Sequence, residues 1–320
     1  MKPLERILEA ARANPRRIIL PEGNDPRVAE AAAILSARGL ARVTLMNGPD
    51  LPGVVALNPD EAPDLPELAD HWHRMRAARG MTAPRALAEM RDPIRQAAMR
   101  VRLGQADGTV GGAVATTADT VRAALQIIGK APDAGIVSSF FLMLSCSGGA
   151  PVKGGMIFAD CGLVIAPDAA ELAAIARSAA QSCRQVLAEV PRVALLSFST
   201  AGSASHPSLG RIHEALALIR AAEPGLEVDG EIQFDAALDD AIRAKKAPRS
   251  HLTGRPNVFI FPDLASGNIG YKIAQRLGGL TAIGPILQGL AKPANDLSRG
   301  CTADDITAAA VVTAVQANPA

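Results

Sequence analysis

The sequence predicts an α/β protein with two α/β/α domains, each built on a mainly parallel sheet. Three observations predict it. Short apolar, β-branched runs alternate with Ala-rich stretches of helical period, the pattern of strands buried on both faces between covering helices. The 320 residues exceed one ordinary domain, and 48% hydrophobic residues give each half a core to bury. Charged residues at 20% are a globular proportion, which excludes a disordered chain.

Residues 16–23, RRIILPEG, read as a strand running into a turn. A helix follows over Pro26–Gly39, with Val28, Ala32 and Leu35 near helical spacing and Gly39 as its stop. A second strand occupies 41–46. Residues 47–70 are Pro-rich and acidic and read as an irregular surface connection. The uncharged stretch Ala134–Val152 approaches a membrane span in length. Its Ser, Gly and Pro residues favour instead a buried strand at Ile136–Leu144 followed by a loop. Further strands read at 163–166, 193–199 and 257–263, and helices at 168–189, 207–223, 235–246, 267–278 and 303–316. No flexible linker interrupts the chain, so the domains are expected to join by close crossings, with a ligand cleft between them.

Composition excludes several functions. With 33 basic and 32 acidic residues the formal net charge is +1, unlike a basic nucleic-acid binder. One Trp, one Tyr and seven Phe are too few for base-stacking platforms. Cys146, Cys161, Cys183 and Cys301 form no C-x-x-C, so they suit a reducing compartment and give neither a disulfide framework nor a zinc site. The N-terminal MKPLERILEAARANPRR lacks the apolar run of a signal peptide. A cytoplasmic protein without nucleic-acid or membrane partners is expected.

Gly149–Gly154 matches the start of a P-loop, but Gly155 and Met156 stand where its lysine and hydroxyl belong, which rejects a nucleotide hydrolase. No dinucleotide fingerprint follows the first strand. Asp235, Asp239 and Asp240 share a helix and suit either a metal or, more simply, a solvated face. The turn in FPDLASGNIGYK (261–272) reads either as an anion cradle or as a tight strand-to-helix turn, and SFSTAGSASHP (197–207) is a similar strand end. The densest cluster is QGLAKPANDLSRGCTADD (288–305), an irregular loop followed by a helix. There Thr302-x-x-Asp305 forms a capping box, and Ser298-Arg299-Gly300 offers a hydroxyl, a permanent cation and a permissive backbone. Cys301 and Cys146 have no accompanying His and read as small buried hydrophobes, not nucleophiles.

Taken in order, these blocks resemble the phosphate acetyltransferase (phosphotransacetylase) family. The resemblance is carried by RIILPEGNDPRVAEAA (17–32), ADGTVGGAVATTADTVRAALQIIG (106–129), VSSFFLM (137–143), LLSFSTAGSA (195–204), DGEIQFDAA (229–237), NVFIFPDLASGNIGYKIAQRLGG (257–279) and GPILQGLAKPANDLSRGC (284–301). It implies a fold similar to the isocitrate/isopropylmalate dehydrogenases, with domains at 1–132 plus 288–320 and at 133–287 and the active site in the cleft. It implies reversible acetyl transfer between acetyl-CoA and phosphate in a homodimer, with CoA and acetyl phosphate as substrates and neither metal nor resident cofactor. Carried over residue by residue, the resemblance puts the family's loop serine, its arginine and its aspartate on Ser298, Arg299 and Asp305. Its anion-binding arginines fall on Arg276, Arg122 and Arg76. Asn24 stands where the family has an acidic residue and Ala201 where it has lysine, which removes a cation. A butyryl-transferring relative, a non-catalytic acetyl-CoA sensor and a metal-dependent dehydrogenase using Asp235 and Asp239 are the competing readings.

Overall fold

The computed structural model of the chain describes residues 3–145 and 154–318. Cys146 and most of the P-loop-like stretch 149–154 lie outside them. The chain divides into two compact units, one of residues 5–132 and 290–320, the other of residues 1–4 and 133–289.

The chain opens with α1 (Pro3–Ala13), followed by β1 (Arg17–Leu20), α2 (Pro26–Ala37), β2 (Arg42–Met46) and β3 (Val55–Leu57). Helices α3 (Leu65–Arg76), α4 (Ala83–Met90) and α5 (Pro93–Leu103) come next, then β4 (Gly108–Gly111) and α6 (Thr117–Ala123). The stretch read as irregular at 47–70 therefore contains a strand and the start of a helix. Pro66 sits in the first turn of α3, where its missing N–H costs nothing, and Leu65, Leu68, Ala69 and Trp72 bury one face.

The other unit holds β5 (Ser138–Ser145), β6 (Gly154–Ala159), α7 (Ala169–Ser182), β7 (Arg192–Leu196), α8 (Pro207–Ala222) and β8 (Glu227–Ile232). It continues through α9 (Phe234–Leu238), α10 (Asp240–Lys246), β9 (Val258–Ile260), α11 (Leu264–Arg276) and β10 (Thr281–Gln288). Its sheet runs β10-β5-β6-β9-β7-β8, with β5 antiparallel to both neighbours and the other pairs parallel. Phe141, Phe158, Phe259 and Phe261 fill its core. The strand expected at 163–166 is absent. The amides of Gly162, Leu163 and Val164 turn inward onto the Asp160 carboxylate at 2.7–3.2 Å, so they have no ladder to join. The single helix expected over 235–246 is two, because Asp239 caps the second with its own side chain.

The chain then returns to the first unit with β11 (Ala294–Asp296) and α12 (Ala303–Gln316). The sheet there runs β11-β4-β1-β2-β3 and is parallel throughout. Ile18, Ile19 and Leu20 are buried in it, and α12 packs against α2 and β4.

Candidate active site

In the unit of 5–132 and 290–320, β1 is flanked by β2 on one side and β4 on the other. Strand order reverses at β1, and in open parallel sheets ligands gather outside the carboxyl ends of the strands at such a point. Three loops lie there: 21–25 after β1, 112–116 after β4 and 297–302 after β11.

Charged groups of the first loop and of α2 organise the other two. Glu22 is buried, and its carboxylate gathers four successive backbone N–H groups. Oε2 accepts from Gly112 and Ala113, each at 2.8 Å, and Oε1 from Val114 at 3.0 Å and Ala115 at 2.7 Å. Asp25 caps α2 and pairs with Arg27, whose Nη1 reaches the carbonyls of Arg299 at 2.9 Å and Cys301 at 2.8 Å. Neither Glu22 nor Arg27 is among the site residues read from the sequence. The available signal is position: both stand in the turn and first helical residues after the first strand.

Ser298 and Arg299 are exposed on the 297–302 loop. Among the described residues Ser298 Oγ receives only the Gly300 amide, at 3.4 Å, and the Ser298 carbonyl accepts from the Cys301 amide at 2.9 Å. The expected capping box is present. Asp305 Oδ2 accepts from the Thr302 amide at 2.9 Å and from its hydroxyl at 2.8 Å, while the Asp305 amide donates back at 3.2 Å. The box ties Asp305 to the end of the Ser298 loop. Asp305 is exposed. The Cys301 thiol is buried and held above its ordinary value by that burial, the opposite of an activated nucleophile. Cys161 and Cys183 are likewise raised by burial, Cys183 to about 12.

Asp296 ends β11 two residues before Ser298 and is 2% exposed. Its Oδ1 has no hydrogen-bond partner among the described residues, and a Cβ on Gly112 would overlap that atom. Burial pushes the Asp296 carboxyl up to about 6, helped by the nearby Glu22 charge and opposed by the Thr117 and Thr120 hydroxyls. The folded protein therefore holds this proton more tightly than the unfolded chain, whose value is near 3.8. Stability falls as pH rises between those values, by about 3 kcal/mol at 1.36 kcal/mol per unit. Asp296→Asn removes that dependence. Relative to wild type, the variant should gain stability in urea titrations between pH ~3.5 and ~8, by up to that amount. A constant difference across the range would contradict the assignment.

The arginines are placed separately. Arg122 is exposed in the last turn of α6 and pairs with Asp119 at 2.6 Å. It lies two residues along the helix from buried Thr120. Arg76 ends α3 with its guanidinium 5.4 Å from the Trp72 ring centroid. Arg276 is exposed at the end of α11, in the other unit. The helix starting in the 261–272 turn thus carries Arg276 about 18 Å from that turn, at 1.5 Å per residue. The turn is tight rather than open: Asp263 caps it from within, and a Cβ on Gly267 would strike the Asp160 carbonyl. Asp235 pairs with Lys246, and Asp240 with Arg243. Among the described residues, no group of three His, Cys, Asp or Glu side chains is placed to hold a metal ion.

The family model for phosphate acetyl/butaryl transferase matches residues 3–314. A phosphate acetyltransferase from Paracoccus denitrificans is 82% identical over 99% of both chains. Among solved structures, a phosphotransacetylase from Streptococcus pyogenes superposes with a TM-score of 0.90 at 41% identity, covering 98% of each chain. One from Staphylococcus aureus gives 0.89 at 38%, covering 98% of this chain and 99% of the other.

Proposed function

The chain belongs to the phosphate acetyl/butaryl transferase family, and from that premise we propose how it moves an acetyl group between acetyl-CoA and phosphate. The reaction is phosphate acetyltransfer, a step of acetate metabolism. The observation that carries the site assignment is the Thr302–Asp305 box, which holds a carboxylate at the end of the loop bearing Ser298 and Arg299.

In the forward direction the CoA sulfur attacks the carbonyl carbon of acetyl phosphate. The C–S bond forms, the C–O bond to phosphorus breaks and phosphate departs, while Asp305 takes the thiol proton. In reverse, a phosphate oxygen attacks the thioester and Asp305 returns the proton to the leaving thiolate. Both acyl donors are already activated, so this route calls for no resident metal or cofactor and no acyl-enzyme; CoA is a substrate.

A thiol near ~8.5 and an ordinary aspartate near ~3.9 leave transfer uphill by roughly 6 kcal/mol. A cation beside the thiol narrows this gap. Arg299, beside the sulfur, favours the thiolate. The Ser298 hydroxyl donates to the oxyanion that develops on the carbonyl. Arg76, Arg122 and Arg276 are the anion-binding groups, since planar guanidinium forks bind phosphate bidentately.

One assay tests the reaction: thiol release from acetyl-CoA and phosphate in the presence of a metal chelator, with butyryl-CoA as the comparison acyl donor. Absence of thiol release would overturn the reading, and faster release from butyryl-CoA would reassign the acyl group. Arg276→Lys keeps the charge and loses the fork. It should raise the KM for phosphate roughly tenfold to a hundredfold, the equivalent of ~1.5–3 kcal/mol for a charged hydrogen bond. Unchanged phosphate kinetics would remove Arg276 from the site.

The assembly is read as a homodimer. Ile269, Ile273 and Leu277, one turn apart on α11 and its end, are 58%, 53% and 85% exposed, an apolar stripe suited to a second copy. Sedimentation at the mass of one chain would refute this. A cytoplasmic setting is supported by Cys161, Cys183 and Cys301, all free, and is checked by cell fractionation. Among the described residues no helix is long and apolar enough to cross a membrane.

A further inference from the structure

We propose that Arg27 is a positioning residue for acetyl transfer, fixing the backbone of the 297–302 loop so that Ser298 and Arg299 meet the reacting groups. The inference rests on the reading of those two residues given above.

Arg27 has five N–H donors, and the structure uses all of them. Nε and Nη2 bind the two Asp25 oxygens at 3.0 and 2.8 Å. Nη1 binds the carbonyls of Arg299 at 2.9 Å and Cys301 at 2.8 Å. The remaining Nη2 hydrogen binds the Ala113 carbonyl at 3.0 Å. No donor is left for a phosphate, which separates Arg27 from Arg76, Arg122 and Arg276. All five donors go to groups of the fold itself.

What it binds is informative. The two carbonyls on Nη1 flank Gly300, in the segment where residues 298–300 are exposed. The loop's own bonds are few: the Cys301 amide to the Ser298 carbonyl, and the Gly300 amide to Ser298 Oγ at 3.4 Å. An exposed loop with a glycine at its centre loses much backbone freedom when ordered. The planar guanidinium holds it at two points, one on each side of Gly300.

That plane is itself fixed from two sides. Asp25 caps α2, accepts the Arg27 amide at 2.9 Å, and has its carboxyl held below the ordinary range by the Arg27 side chain. Ala113 belongs to the run of amides gathered by Glu22. The loops after β1, β4 and β11 are thus tied through one side chain. Lysine cannot reproduce this, because an ammonium is a point charge without the fork.

Misplacement of reacting groups by about 1 Å costs on the order of 10²-fold in rate. Arg27→Lys should lower kcat by roughly tenfold to a hundredfold, with the KM values for CoA and acetyl phosphate within about threefold of wild type. Combined with Ser298→Ala or with Arg299→Ala, it should cost much less than it does alone, since a brace is worth little once the braced group is gone. A merely structural role would give additive losses that follow the folded fraction. Asp25→Asn, which keeps the guanidinium but loosens its plane, should lower kcat in the same pattern and serves where Arg27→Lys does not fold. Wild-type turnover in these variants, a change confined to KM, or losses fully additive with both loop variants would overturn the proposal. Ser298→Ala and Arg299→Ala measured alone judge the chemical reading separately: full activity in both removes those residues from the reaction, whatever Arg27 does.

Discussion

Asp305→Asn should lose on the order of 10²–10⁴ in turnover and keep its fold, the loss typical of a positioned acid–base group. The competing role for Asp305 is structural and is visible in the capping box, where Oδ2 accepts from the Thr302 amide and hydroxyl. Asparagine retains one acceptor oxygen in nearly the same place. If capping were the whole role, the variant would cost at most about 1 kcal/mol in stability and leave activity near wild type. Asparagine cannot take a proton from a thiol, so the two roles part cleanly on substitution. The pH dependence adds a second signature. Above about pH 8.5 the thiol ionises unaided, and the variant should recover part of its CoA-acetylating rate there while wild type changes little. A wild-type rate at neutral pH would return Asp305 to a purely structural role.

Ser298→Ala should lower kcat by on the order of 10²–10³ with KM nearly unchanged, as when one oxyanion donor is removed. The Ser298 side chain is exposed, and among the described residues its oxygen accepts only the Gly300 amide at 3.4 Å. Its hydrogen is therefore available to donate. Alanine removes that donor without burying an unpaired polar group, so thermal stability should stay within about 0.5 kcal/mol. A bond made only as charge develops on the carbonyl oxygen appears in kcat and not in ground-state binding. A rise in KM alone would show that Ser298 holds the substrate and does not stabilise its transition state.

The reaction class and the candidate loop were legible in the sequence, the loop because its defining contacts are local. Thr302 and Asp305 are three residues apart, so the capping box is a property of the sequence as written. Ser298 and Arg299 lie in the same segment. Arg27 was not legible as a site residue, because its partners are the carbonyls of residues 272 and 274 positions away. Glu22 was hidden in the same way, its amides 90 to 93 positions distant. Asp296 reads as an ordinary loop aspartate until β4 and α6 bury it.

The strands divide along the same line. RIIL, RVTLM and SSFFLMLS carry enough apolar length to announce themselves, and all three form. GTVG and AND do not, yet both form and are fully buried, β4 beside β1 and β11 beside β4. LVIA has the composition of a strand and forms none, because the Asp160 carboxylate takes the Leu163 and Val164 amides. By itself the sequence determined what depends on near neighbours: apolar period, helix caps, the alternation that makes two α/β units, and the loop of Ser298 and Arg299 with the capping box of Asp305 at its end. The tertiary structure alone decided what depends on distant ones. Backbone hydrogen-bonding groups and carboxylates have no preferred partner in sequence, and packing chooses which strands fill the sheet, which acid is buried and which arginine holds the loop in place.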